Sequence, residues 1–259
     1  KIIIKHKTLK NIEFQKTRLS YSYDLKKINN YELTLDSQIN SQYKNLRKIA
    51  GFYNKLQLEE YFFDGLDGIL EANINFNTQN KDNKKKFYDL KVTGELSDFF
   101  TPKEGGSEST PFNLEKFNGN FAIEDNKIKL EGNGILNGSE AKLILDVDEK
   151  NSLRAKILSD AKHNSFSFLN NYNFLTQGNS KLEMLVTKEK ISDDGWKVLL
   201  KSDLSKNEVT IDFLSHHKDP NANGQMEGEF FFKGLDLLKV KNLQYATDDI
   251  LLSLDMYFK

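Results

Sequence analysis

Residues 112–158 read FNLEKFNGNFAIEDNKIKLEGNGILNGSEAKLILDVDEKNSLRAKIL, and within them apolar side chains return at every second position. Ile128 and Leu130 are followed by Ala141, Leu143, Leu145 and Val147, and then by Leu153, Ala155 and Ile157. Lys127, Lys129, Glu131, Lys142, Asp146, Asp148, Arg154 and Lys156 fill the gaps. A period of two with one apolar and one charged side is the pattern of antiparallel strands that bury a single face. The stretch therefore predicts a strand, a tight turn, a strand with paired glycines, another strand, a turn and a further strand.

The same period extends in both directions. Upstream, Leu19, Tyr21, Tyr23 and Leu25 alternate, a turn is expected at KKINN, and Tyr31, Leu33 and Leu35 continue the pattern. From 41 to 64 the spacing lengthens to three and four residues through Leu46, Ile49, Ala50, Tyr53 and Leu56, which predicts one amphipathic helix. Asn40 or Ser41 can cap its start and Gly65 can end it. The period of two returns in ILEANINFN and KFYDLKVTGEL, with a polar hairpin tip between them that carries Lys81, Lys84, Lys85 and Lys86. The loop 101–111 collects proline and glycine and is the one candidate boundary in the chain. Beyond residue 158 a short helix or turn is expected near 165–176. Strands then resume with Leu182, Met184 and Val186, with Trp196, Val198 and Leu200, and with Val209, Ile211 and Phe213. The fold class that follows is mainly β, an antiparallel meander.

Composition narrows the function. The 259 residues carry 37 basic and 38 acidic side chains, a net charge of -1, which lacks the basic footprint that nucleic-acid binding requires. The basic cluster of Lys5, Lys7 and Lys10 reads as a solvated strand face. Cysteine is absent, which removes disulfides, thiol catalysis and cysteine-based zinc sites. No apolar run is long enough for a transmembrane helix. The chain reads as a single elongated segment, 1–259, cut from a longer protein.

Catalytic constellations do not emerge. His216 and His217 are adjacent, so on a strand they point to opposite faces, which is poor geometry for a shared metal. GNGILNG, with Gly132, Gly134 and Gly138, lacks the Lys-Ser/Thr of a phosphate loop and opens no helix, so its glycines read as a bulge or bend. The carboxylates alternate with lysines along wet faces rather than meeting in pairs. The expectation is a protein that is not an enzyme and carries no cofactor or metal.

Two glycine-bearing patterns carry a family resemblance. One is Phe117, Gly119, Phe121 and Ile123 followed by Leu130, Gly132, Gly134 and Gly138; the other is Asp203-Leu204, Val209, Ile211, Phe213, Lys218 and Gly224. In this order, after the 41–64 segment, they resemble the AsmA-like superfamily and in particular its YhdP-type branch of bacterial bridge-like lipid transfer proteins. The resemblance covers most of the chain beyond residue 40. It implies a U-shaped β-groove whose apolar concave face conducts phospholipid between the inner and outer membranes of Gram-negative bacteria. It implies a periplasmic location, with an inner-membrane tether outside this segment, and a part in outer-membrane biogenesis within the cell envelope. The groove lining it implies here is Leu130, Leu143, Leu145, Val147, Ile157, Leu182, Met184, Val186, Trp196, Val198, Leu200, Val209, Ile211 and Phe213. A one-sided sheet with little to cover it would gain its missing layer from acyl chains. The alternative is a structural or adhesive surface β-domain whose apolar face is a closed core and which binds no ligand.

Overall fold

The computed structural model describes residues 12–24, 27–45, 66–80, 87–101, 112–125, 127–162, 165–166, 175–190, 194–234 and 236–258. Most of them are strand. In chain order the strands are β1 (Ile12–Asp24), β2 (Lys27–Gln42), β3 (Asp67–Asn80), β4 (Phe87–Phe100), β5 (Leu114–Glu124), β6 (Lys127–Leu136), β7 (Ser139–Val147) and β8 (Leu153–Ala161). They continue as β9 (Leu175–Gln177), β10 (Ser180–Lys188), β11 (Gly195–Asp203), β12 (Glu208–Ile211), β13 (His216–Lys218), β14 (Gly224–Lys233), β15 (Asp236–Thr247) and β16 (Leu251–Tyr257).

Thirteen of these form one antiparallel meander in the order β1-β2-β3-β4-β5-β6-β7-β8-β10-β11-β14-β15-β16. Its first and last strands do not pair, so the sheet is not closed into a barrel. The expected mainly-β meander is what the chain forms. A separate three-stranded sheet, β13-β12-β9, is inserted between strands of the meander. The Val209–Phe213 run therefore does not continue the main sheet as its alternation had suggested. β12 takes Val209 and Ile211 into the small sheet, and residues Asp212–Leu214 leave it as a turn of 3-10 helix.

The expected helix over 41–64 is described only at its start, where residues 43–45 are helical; the rest lies outside the described residues. The Lys5, Lys7 and Lys10 cluster, the 81–86 hairpin tip and nearly all of the 101–111 loop lie outside them too. The expected short helix near 165–176 is described only at its ends. Its last residues belong to β9, which pairs antiparallel with β12 so that Thr176 faces Val209.

Turn chemistry sets the register. Between β6 and β7, Asn137 (φ 49°) and Gly138 (φ 82°) make a two-residue hairpin in which both residues need positive φ, the Asn-Gly preference of that turn. Between β7 and β8, the Asp148 carboxylate accepts from the backbone N–H of Lys150 (2.8 Å) and of Ser152 (2.9 Å). Those bonds, Ser152 foremost, hold its carboxyl below the usual carboxylate range.

Contacts divide the chain into two compact units: Lys1–Pro102 with Lys116–Leu130, and Lys103–Glu115 with Glu131–Lys259. One division point, at Pro102, falls in the 101–111 loop read as the candidate boundary of an otherwise single segment, but Lys116–Leu130 returns to the first unit.

Candidate functional site

In the first unit, pairing aligns side chains into rows across the sheet. Leu19, Leu35, Phe76 and Leu90 form one row; Ser37, Ile74, Val92 and Ile123 form the next; Ile39, Ala72, Gly94 and Phe121 form a third. All of these lie on one face, because residues two apart on a strand share a side. The opposite face is a polar lattice. Asn40 Nδ2 donates to Glu71 (2.9 Å), Asn75 Nδ2 to Asp36 (2.5 Å), Gln79 Nε2 to Glu32 (2.9 Å) and Lys91 Nζ to Glu124 (2.9 Å).

Coverage of the apolar face changes along the strands. At one end Ile39, Leu70, Ala72, Leu96, Phe99 and Phe117 are buried, and Tyr43 packs edge-on against Phe99 with ring centroids 5.2 Å apart. At the other end Leu33, Leu35, Ile74, Phe76, Leu90, Val92 and Ile123 are only half-buried, and Leu19 and Tyr21 are exposed. Among the described elements, the extensive contacts of β1 to β4 are with their sheet neighbours alone. The hydroxyl of Thr78 lies on this face, buried and, among the described residues, without a hydrogen-bond partner.

The second unit presents the same alternation with a different outcome. Leu143, Leu145, Val147, Ile157, Leu182, Met184, Val186, Trp196, Val198 and Leu200 share one face of β7, β8, β10 and β11 through pairs such as Leu143 with Ile157, Ile157 with Met184 and Met184 with Leu200. At its centre that face is closed by protein, while Leu143, Leu145, Val186 and Trp196 are half-buried. Met184, Val198, Leu200 and Phe230 are 0% exposed, and Ile157, Leu182 and Phe232 nearly so. Phe166 is buried in the same cluster, and Phe112, Leu114, Leu143, Val186 and Trp196 pack against it. Trp196 stacks on Phe232 at 4.0 Å and donates its Nε1–H to the Gly234 carbonyl (2.7 Å). The wet side carries exposed or half-exposed ion pairs, among them Lys156–Glu183 (2.7 Å) and Lys201–Glu227 (3.6 Å).

Four expected lining residues stand apart. Val209 and Ile211 join Leu204 and Tyr245 in a second buried cluster under the small sheet, so they line a different surface from Val198. Phe213 is in the 3-10 turn and its side chain lies outside the described ones. Leu130, half-buried, belongs to the first unit.

No family model, curated protein or solved structure matches this chain.

The small sheet is pinned by polar groups. Lys218, buried, donates from Nζ to the Asn207 carbonyl (2.8 Å) and the Asp219 carbonyl (3.0 Å), and Ser180 Oγ donates to Asn207 Oδ1 (3.0 Å). Burial pulls the Lys218 ammonium below the usual lysine range, with Asp203 and Asp219 opposing. His216 Nε2 lies 3.0 Å from the Tyr245 hydroxyl, whose pKa burial pushes up to about 12. His217 turns the other way, 3.1 Å from Asp219 and 3.3 Å from Thr210, as neighbours on a strand must. Among the described residues, no group of three His, Asp or Glu side chains is placed to hold a metal.

The lining inferred from the sequence thus gathers mostly in the second unit, on a face whose centre the chain encloses itself. The half-open apolar rows of the first unit were not singled out. Their signal was present in the alternation of Leu33 and Leu35 and of Ile74 and Phe76, but alternation does not distinguish a covered face from an open one.

Proposed function

We propose that this chain is a length of an envelope lipid-transfer protein, with the half-open apolar face of its first unit receiving the acyl chains of a phospholipid. The reading joins the AsmA-like resemblance to one observation. The Leu35-Phe76-Leu90 and Ile74-Val92-Ile123 rows are only half-buried, on a sheet whose other side is a hydrogen-bonded polar lattice. Acyl chains laid across such rows would each remove apolar surface from water, at about 0.8 kcal/mol per methylene. The face needs no charged anchor for this, because transfer along a groove is served by uniform apolar contact rather than by a tight polar site. A periplasmic location with a membrane tether elsewhere in the parent protein belongs to the same proposal.

Lipid extraction and mass spectrometry of the purified chain test it. Phospholipid is expected to co-purify, and Val92→Asp is expected to abolish it while the circular dichroism spectrum stays β-rich. A folded wild-type chain that is free of lipid, and that takes none up from phospholipid vesicles, would overturn the reading.

A second reading has its own support. The 0% exposure of Met184, Val198, Leu200, Ile211, Phe230 and Val240 is that of a closed core, as in a structural or adhesive surface β-domain that binds no lipid.

A further inference from the structure

Along β2 and β3 the apolar face of the first unit changes character row by row. Tyr31 comes first, then Leu33 with Thr78, Leu35 with Phe76, Ser37 with Ile74, and Ile39 with Ala72. The Ile39 row is buried, and so are Leu70, Leu96, Phe99 and Phe117 beyond it, so the half-open rows end there against an apolar wall. The opposite end carries hydroxyls. The Tyr31 ring lies 6.2 Å from that of Tyr21, which stands across from Leu33 on β1. Thr78, 5% exposed, has a hydroxyl that no described group answers. Tyrosine suits such a boundary, because its ring is apolar and its hydroxyl seeks a polar partner. A buried hydroxyl left unpaired is costly, and an acceptor brought from outside relieves that cost. From Tyr31 to Ser37 the strand spans about 20 Å. The acyl layer of one membrane leaflet is about 15 Å deep, half of a hydrocarbon core of about 30 Å. The open rows therefore have the length of an acyl chain laid along the strands, between a hydroxyl rim and an apolar wall.

We propose that the first unit binds its phospholipid in one direction only, with the ester and headgroup oxygens at Tyr21, Tyr31 and Thr78 and the methyl ends of the acyl chains against Ile39 and Ala72. The inference rests on the lipid reading above and adds to it an orientation and a polar contact. The reverse orientation would set a charged headgroup against Ile39, Ala72 and Leu70, where charge taken out of water without a partner is costly. In the proposed direction the headgroup stays at the open end, and the Thr78 hydroxyl gains an acceptor in an ester or phosphate oxygen. The rim groups are hydroxyls and carry no charge, so they orient a lipid without holding it fast.

Photo-crosslinking of the whole wild-type chain tests the orientation. The chain is mixed with vesicles of phosphatidylcholine carrying a diazirine either on the headgroup or at the end of one acyl chain, then irradiated, and the labelled residues are located by fragmenting the peptides in a mass spectrometer. The headgroup probe is expected to label around Tyr21, Tyr31 and Thr78, and the acyl probe around Ile39, Ala72 and Leu96. Thr78→Val keeps the shape of the side chain and removes its hydroxyl. It is expected to raise the Kd for phosphatidylcholine about threefold or more, the worth of one hydrogen bond, and to leave the melt of the lipid-free chain no lower than that of the wild type. Both probes labelling the same residues, or the reversed pattern, would overturn the orientation while leaving lipid binding intact. A Thr78→Val chain that binds as tightly as the wild type, or that melts lower when lipid-free, would overturn the polar contact. A first unit labelled by neither probe would overturn the lipid reading itself.

Discussion

Tyr245 and Lys218 are buried ionisable groups of the second unit that titrate in opposite senses. The Tyr245 hydroxyl is held protonated up to about 12 against an ordinary value of 10.0. Between those values the unfolded chain has released this proton and the folded chain has not, so stability falls as pH rises, at up to about 1.4 kcal/mol per pH unit. Lys218 is lowered from 10.5 by burial. Below 10.5 the unfolded chain holds that proton more firmly than the folded one, so this group adds stability as pH rises. Tyr245→Phe removes the first effect and leaves the second. Thermal melts at pH values between 10 and 12 should therefore show the variant losing less stability than the wild type; parallel losses would mean that the phenol is not the group responsible. The substitution also removes the partner of His216, a loss expected at neutral pH and about 1 kcal/mol in size.

At the level of elements, Gly94 shows how tightly the first unit is built. A Cβ there would collide with the Glu71 carbonyl oxygen, the Ala72 Cα and the ring of Phe121, which lies over the glycine from the neighbouring strand. Two of these obstacles are backbone, so they yield only if β3 moves. Gly94→Ala is expected to destabilise the fold by about 1–3 kcal/mol, read as a lowered melting temperature; an unchanged melt would mean that β3 and β4 lie farther apart. Much of this level was legible in the sequence. Strict alternation places Leu143, Leu145 and Val147 on one face, whereas Gly138, expected at a bulge or bend, closes the Asn137-Gly138 hairpin, and the close approach at Gly94 is seen only in the structure. Misreading came where the pattern is degenerate. Val209 and Ile211 alternate as well as any pair in the meander, but period two says nothing about which sheet a strand joins. Their departure into the small sheet depends on distant partners. Lys218 reaches the Asn207 carbonyl and Ser180 reaches the Asn207 side chain, contacts that no local spacing encodes.

For the molecule as a whole, the question is which apolar face the chain closes for itself. Val92 and Val198 are indistinguishable in sequence context, each an aliphatic residue at an alternating position of a strand. In the structure Val198 is 0% exposed between Val186 and Phe230, whereas Val92 is half-buried between Ile74 and Ile123. Closure is a tertiary property, set by Phe112, Leu114 and Phe166 arriving over or beside the second unit's strands, and the alternation that marks both valines cannot report it. A carboxylate at the two sites therefore has unequal consequences. Val198→Asp buries a charge with no partner, costing several kcal/mol, a large share of the 5–15 kcal/mol by which a domain is ordinarily stable. It should abolish the cooperative melt or lower its midpoint by many degrees. Val92→Asp can turn its carboxylate to water across the half-open rows, so its melt should shift little while lipid pickup is lost. Two melts and two lipid extractions then separate the readings. If Val92→Asp unfolds the chain as thoroughly as Val198→Asp, the first unit's face is a closed core too, and the lipid-binding role falls. If Val92→Asp is folded and lipid-free where the wild type carries phospholipid, the open rows are where the acyl chains lie.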